Sequence, residues 1–156
     1  MEKPKLPMVE AQMLIRKPVA TVFQAFTDPD ITTRFWFTKS SGQPEAGKTI
    51  IWEWEMYNVS AEVYVKEIVP NEKISFDWDD PATTVDISFT ALTGETTYVV
   101  IKNYGFSQSG DDLLLAINNN TGGFTTVLDG LKAYLEYGIQ LNLIKDKFPL
   151  LNKTGK

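Results

Sequence analysis

The sequence contains no cysteine and no histidine. Without cysteine, the chain cannot form disulfides, thiolate metal sites, iron–sulfur clusters or a cysteine nucleophile. Without histidine, it lacks the commonest general base, the Ser–His–Asp triad and the ligand of most transition-metal sites. Any catalysis would have to use carboxylates, and we expect neither a metal site nor a cofactor.

Basic clusters and long apolar runs are also absent. The 15 lysines and arginines are scattered and are outnumbered by 20 acidic residues, which gives a net charge of −5. Nucleic-acid binding requires a basic surface, so we expect none. No apolar run is long enough to span a bilayer, and the N-terminus lacks the apolar core of a signal peptide. We therefore expect a cytoplasmic protein without membrane insertion.

The length and the lack of linkers predict one domain. A chain of 156 residues is the usual size of a single domain. We place the core at about residues 9–140 and a C-terminal extension at 141–156, with polar ends at 1–7 and 149–156. The apolar stretch 139–151 could pack on the domain, cover a cavity or meet a second subunit, so a homodimer is one expectation.

The first segment predicts a strand followed by two short helices. Residues 9–16 form the strand, which Lys17-Pro18 ends. Asp28-Pro29 is typical of an N-cap followed by proline in the first turn, so a second helix carries Ile31 and Phe35. The first helix has apolar residues at i, i+3, i+4 and i+7, namely Val19, Val22, Phe23 and Phe26.

The middle of the chain has a period of two, which is typical of strands with one apolar and one polar face. The connectors are too short for parallel crossovers, so we expect an antiparallel meander. Five strands are predicted at 50–55, 59–66, 74–79, 85–91 and 97–103.

The C-terminal third returns to helical spacing. Gly122-Gly123 marks the approach to a long helix that runs to about Tyr137 and covers the dry face of the sheet. Its apolar stripe consists of Phe124, Leu128, Leu131, Leu135 and Ile139. The fold class is therefore α+β.

This order of elements, with three local motifs, resembles the helix-grip fold of the START-like superfamily. The motifs are the segment 17–29 with its Val-Phe pair and Asp-Pro, Arg34-Phe35-Trp36, and the final-helix pattern 123–136. The branch it resembles is named after homologues of the activator of the heat-shock 90 chaperone's ATPase. The resemblance spans about 9–140 and implies a curved sheet of about six strands around the long helix.

The resemblance implies a range of functions, because relatives include lipid carriers, hormone receptors, polyketide cyclases and the chaperone activator. Two positions depart from the branch. Asn103 stands where a histidine is frequent near the end of the last strand. Thr121 stands where a tryptophan often precedes the Gly-Gly pair. Any acid–base role of that histidine is absent here.

Apolar residues, most of them aromatic, are candidates for the wall of a ligand cavity between the sheet and the long helix. The alternative is ordinary core packing. The cavity candidates are Trp36, Phe37, Trp52, Trp54, Phe76, Trp78, Phe89, Ile101, Phe124 and Leu128, and Ala61→Phe is the substitution expected to fill it.

Polar candidates are fewer. By alternation Asn103 points inward, as a polar contact at one end of the cavity; the alternative is a strand-end residue facing solvent. Arg34 could reach an anionic ligand group over the cavity mouth, or be an ordinary surface arginine. The acidic cluster Asp77, Asp79 and Asp80 is expected on the solvated face.

The first functional hypothesis is a binding module for an apolar or amphipathic small molecule, reached near the two short helices and the loop 38–47. The second is a cyclase- or dehydratase-like enzyme, which the lack of histidine disfavours and which a buried carboxylate of raised pKa would favour. The third is a co-chaperone of the heat-shock 90 chaperone. The eukaryotic activator also has an N-terminal gripping domain, for which this sequence has no room.

Overall fold

A computed structural model describes residues 7–149 of the chain. Of the polar ends predicted at 1–7 and 149–156, residues 1–6 and 150–156 lie outside the described residues. The strands are β1 (Met8–Ile15), β2 (Lys39–Ser40), β3 (Thr49–Trp54), β4 (Val59–Val69), β5 (Lys73–Trp78), β6 (Thr83–Thr93) and β7 (Thr96–Tyr104). The helices are α1 (Val19–Thr27), α2 (Pro29–Thr32), α3 (Gly110–Tyr137) and α4 (Leu143–Lys147), with a 3-10 turn at Glu55–Tyr57.

The strands form one antiparallel sheet with the order β1-β7-β6-β5-β4-β3-β2. The predicted meander is confirmed, and the first strand extends it at one edge by pairing with β7. The sheet has seven strands and not six. The additional strand, β2, has two residues, too few to produce a period of two in the sequence. Register shifts in β4 and β6 mark irregularities of the kind that bend strands.

The two short helices follow β1 as predicted. The Asp28 side chain accepts a hydrogen bond from the Asp30 N–H at 3.0 Å, which caps α2, and Pro29 occupies its first turn. Phe35 lies beyond the end of α2 but is buried, and its ring meets Phe26 edge to face at 5.5 Å. These contacts fix α1 and α2 against the core.

The long helix begins earlier than predicted. α3 starts at Gly110 with Asp111 and Asp112 in its first turn, where the positive end of the helix dipole stabilises their carboxylates. Gly122-Gly123 therefore lies inside the helix. The asparagines and glycines at 118–123 have low intrinsic helix propensity, but tertiary packing overrides such a weak preference. Among the described residues, no helix is long and apolar enough to cross a membrane.

α3 ends in a left-handed residue, Gly138, with φ +67°. The Gly138 N–H donates to Tyr134 O at 2.9 Å, which is the bond of an αL cap, and the Ile139 N–H donates to Ala133 O at 3.3 Å. Ile139 consequently leaves the predicted stripe and is 51% exposed. The buried part of the stripe is Phe124, Leu128 and Leu131, which packs with the neighbouring Val127 against the concave face of the sheet.

Candidate functional site

A cavity of about 580 Å³ lies between the sheet, α3 and the C-terminal segment. This volume is within the range of small-molecule sites, and the wall is mostly apolar with a few polar groups. The cavity is partly open to solvent. Its lining residues are Trp36, Trp54, Tyr57, Val59, Ser60, Ala61, Trp78, Asp79, Asn119, Asn120, Gly123, Phe124, Val127, Ile144, Lys147 and Phe148.

Four of the predicted aromatic residues form a connected part of this wall. Trp78 is central: its ring lies 6.1 Å from that of Trp36, 6.4 Å from that of Trp54 and 5.7 Å from that of Phe124. Such tilted and edge-to-face contacts hold the rings in fixed orientations. The result is a rigid aromatic surface that a flat or apolar molecule can contact.

Two small residues are part of the cavity wall. Ala61 of β4 and Gly123 of α3 both line the cavity. A Cβ built on Gly123 would meet no atom within 4 Å. The absence of a side chain at Gly123 therefore leaves open space at this point of the wall.

The C-terminal segment covers one side of the cavity. Ile144 and Lys147 of α4 and the following Phe148 line it. The Tyr57 hydroxyl donates to Ile144 O at 2.6 Å and to Lys145 O at 3.1 Å. The described part of the extension therefore packs on the domain and covers the cavity, which are two of the three roles predicted for it.

Asn103 is fully buried and points inward, so the solvent-facing alternative is wrong. Its amide donates to Thr83 Oγ1 and to Thr84 O, both at 2.9 Å. Its Oδ1 accepts from Asn120 Nδ2 at 3.3 Å. Asn120 lines the cavity and Asn103 does not. Asn103 therefore fixes the orientation of a cavity residue.

Asp79 is exposed, as was expected of the acidic cluster, but it does not lie on the polar face of the strand. Asp77 does lie on the polar face, where it accepts from Thr84 Oγ1 at 2.6 Å and pairs with Lys66 at 3.5 Å. β5, however, ends at Trp78, and Asp79 adopts a left-handed φ of +75°, so strand alternation no longer applies. Asp79 lines the cavity. Although the residue is largely exposed, partial desolvation of its carboxyl raises its pKa.

Eight of the predicted site residues do not line the cavity. Phe37 stacks on Trp52 at 4.5 Å, and Phe89 packs against Phe23 and Phe26 beneath α1. Arg34 is exposed and lines a separate space of about 120 Å³. The others, all at most 3% exposed, belong to the continuous core: Phe76, Trp52, Ile101, Asn103 and Leu128.

Access to the cavity also differs from the prediction. Residues 38–47, all of them described, contribute nothing to its wall, and Trp36 is its only lining residue from 28–37. The exposed lining residues come from other elements, and they include Val59 of β4 at 53% and Phe148 of the C-terminal segment at 64% exposure. The cavity therefore opens between β4, the end of β5 and the C-terminal segment.

Several lining residues were not predicted. Tyr57 lies in a 3-10 turn, Asn119 in a helical turn that was expected to be a loop, and Lys147 and Phe148 in the extension. Only the apolar character of the extension signalled that it could cover a cavity. Within residues 7–149, no group of three or more acidic side chains has the geometry to hold a metal ion.

The comparisons with known proteins agree with this architecture. A Staphylococcus saprophyticus protein is 29% identical, with a TM-score of 0.76 over 86% of this chain and 95% of that one. The Aha1 dimer from Colwellia psychrerythraea is 17% identical, with a TM-score of 0.71 over 85% and 98%. An HSP90 activator from Plasmodium falciparum is 20% identical, with a TM-score of 0.65 over 83% and 96%.

Comparison with curated proteins found no match. The model of one protein family does match, over residues 16–136, which include α1, α2, six of the seven strands and nearly all of α3. The fold is the helix-grip fold that the motifs predicted. The chain belongs to the family described as Activator of Hsp90 ATPase homolog 1-like protein.

Proposed function

We propose that this protein binds an apolar or amphipathic small molecule in the cavity between the sheet and α3. The observation that carries the proposal is the cavity of about 580 Å³, with a rigid wall formed by Trp36, Trp54, Trp78 and Phe124. Burial of apolar ligand surface there would supply about 25 cal/mol per Å². The site residues, the cytoplasmic location and the homodimer remain predictions.

Polar groups at the cavity would orient the ligand. The Trp78 indole N–H is buried and has no acceptor among the described residues. The Trp52 indole N–H, which lies outside the cavity, is unpaired in the same way, so an unpaired indole here does not by itself indicate a ligand. Asn119, Asn120 and Lys147 offer further donors on the α3 side. These groups favour an amphipathic molecule with an oxygen-bearing end.

The first experiment compares the native mass of the protein, purified from its own source, with its denatured mass. A molecule lost on unfolding would identify the ligand by its mass. At a concentration of 100 times its Kd, this ligand should raise the Tm of the wild type by about 5–10 °C. In Ala61→Phe, whose ring occupies the space beside Gly123, the increase should be nearly abolished.

Glu62→Phe is the matched control, because Glu62 is exposed and does not line the cavity. This variant should keep the full increase in Tm. Equal ligand stabilisation of Ala61→Phe and the wild type would refute binding in this cavity. If no ligand co-purifies, a thermal-shift screen with lipids, aromatic metabolites and polyketide-like compounds replaces the first step, and no stabilisation by any of them would count against the proposal.

Asp79 supports an enzymatic alternative of the cyclase or dehydratase type. Its carboxyl lies at the cavity and has a raised pKa. A carboxyl with its pKa nearer neutrality is better suited to giving and taking a proton. In this alternative, the cavity would hold the reactive molecule and Asp79 would move the proton.

The alternative predicts that wild type changes the mass of the bound molecule with time, for example by the loss of one water. Asp79→Asn should lower the rate of this conversion by at least about 100-fold, and the variant should still bind the molecule. Asp80→Asn is the control, because Asp80 is exposed and does not line the cavity. Binding without any conversion by the wild type would leave the binding module as the function.

A further inference from the structure

The C-terminal segment Leu143–Phe148 is attached to the domain by a small number of contacts. The Tyr57 hydroxyl bonds to two carbonyl oxygens of α4, and Ile144 packs against the core. Leu143 Cδ1 lies 3.8 Å from the position that a Cβ on Gly130 would take. A helix of five residues is not stable by itself in water, so these contacts hold it in place.

The connection between α3 and α4 has left-handed residues at both of its ends. Gly138 has a φ of +67° and Asn142 a φ of +59°. The residues between them are exposed, including Ile139 at 51% and Leu141 at 45%. A change of backbone conformation in this stretch would move α4 without disturbing α3 or the sheet.

The segment also lies outside the part of the chain that matches the family, which ends at residue 136. Nevertheless Ile144, Lys147 and Phe148 form one side of the cavity wall. This side of the wall therefore comes from residues beyond the family match, and it lies beside the exposed residues Val59 and Ser60, where the cavity meets solvent.

We propose that Leu143–Phe148 is a hinged cover of the cavity and that the Tyr57 hydroxyl is its latch. The cover opens as a unit on the connection 138–142 and uncovers the tryptophans of the wall. Ligand enters and leaves in the open state. The cover itself is a property of the protein without ligand, whereas its control of ligand exchange rests on the function proposed above.

Tyr57→Phe tests the latch, because it removes the hydroxyl and keeps the ring. The open state should become about fivefold more populated, the factor that corresponds to the net contribution of one hydrogen bond. Without ligand, amide hydrogen exchange at 143–147 should accelerate by this factor, and acrylamide should quench tryptophan fluorescence more strongly. The exchange rates of the β7 amides should stay unchanged, and this would show that the fold is intact.

Tyr64→Phe is the matched control, since Tyr64 is 46% exposed on β4 and makes no side-chain hydrogen bond among residues 7–149. It should leave exchange and quenching at their wild-type values. If Tyr57→Phe also leaves both unchanged, the cover is fixed and the proposal is wrong.

Ligand exchange is measured by stopped flow with 8-anilinonaphthalene-1-sulfonate as the probe. A latch predicts that Tyr57→Phe raises the association and dissociation rates together by about fivefold, so that Kd changes much less than either rate, although Tyr57 also lines the cavity. A weaker Kd with an unchanged association rate would make Tyr57 a ligand contact and would overturn the gating role. If the probe binds neither protein while exchange and quenching respond, the cover stands and the ligand proposal loses support.

Discussion

Asn103 shows how one buried amide connects the sheet to the cavity wall. It lies on β7 opposite Val9 of β1 and Val85 of β6, with no exposed surface. Its three hydrogen bonds reach β6 and the Asn120 side chain of α3. Such a network stabilises the fold only while every member is paired, because an unpaired buried group keeps its desolvation cost.

Asn103→Ala should lower the free energy of unfolding by about 1–3 kcal/mol, since it leaves the Thr84 carbonyl and the Asn120 amide unpaired. Urea denaturation followed by circular dichroism measures this loss. Asn118→Ala, at an exposed position on α3, should cost almost nothing. A similar loss in both variants would indicate that the Asn103 network is not what stabilises this end of β7.

At the scale of elements, a partly buried ion pair within α3 connects the end of this helix to the end of β1 by hydrogen bonds. Lys132 donates to Glu136 Oε2 at 2.7 Å and to Leu14 O at 2.8 Å, and the Arg16 N–H donates to Glu136 Oε2 at 2.8 Å. Burial acts to raise the Glu136 pKa, but the hydrogen bond from Lys132 and that from Arg16 outweigh it and hold this pKa below its ordinary value of 4.5.

This lowered pKa predicts an acid-sensitive stability. Because the unfolded chain takes up the proton at higher pH than the folded one, the contribution of Glu136 is complete above about pH 4.5 and is lost as the pH falls through the folded value. Glu136→Gln should be about 1.5 kcal/mol less stable at pH 7 and should lack this part of the acid dependence. Urea midpoints at pH 7 and pH 3 measure both effects.

Glu62→Gln provides the control for acid denaturation in general, because Glu62 is exposed on β4. It should follow the wild type at both pH values. Should Glu136→Gln lose as much stability on acidification as the wild type, the ion pair would not be the source of the pH dependence.

At the scale of the whole molecule, the cavity is assembled from distant parts of the chain. β4 and β5 supply Ala61 and Trp78, α3 supplies Gly123, and α4 supplies Ile144. The curved sheet and α3 meet in a continuous core on one side, around Ile101, Leu128 and Leu131. On the other side they diverge, and the C-terminal segment closes part of the remaining space.

The alternation of apolar and polar residues was enough to predict the strands, their antiparallel order and the face that each side chain takes, because a period of two is a local property of the backbone. The inward direction of Asn103 and of Trp54 and Trp78 followed from the same pattern, whereas Trp36 lies outside the strands and was a candidate only as an aromatic residue. Alternation did not distinguish Trp54 and Trp78 from Trp52 and Phe76, which lie on the same face but inside the core.

The sequence by itself therefore determined the α+β class, the family and the side of the sheet that is dry. Only the tertiary structure decided the start of α3, the position of Asp79, the wall of the cavity and the placement of α4. These features depend on packing between residues far apart in the chain and on single left-handed residues such as Asp79 and Gly138. Local periodicity and propensity contain no information about such distances.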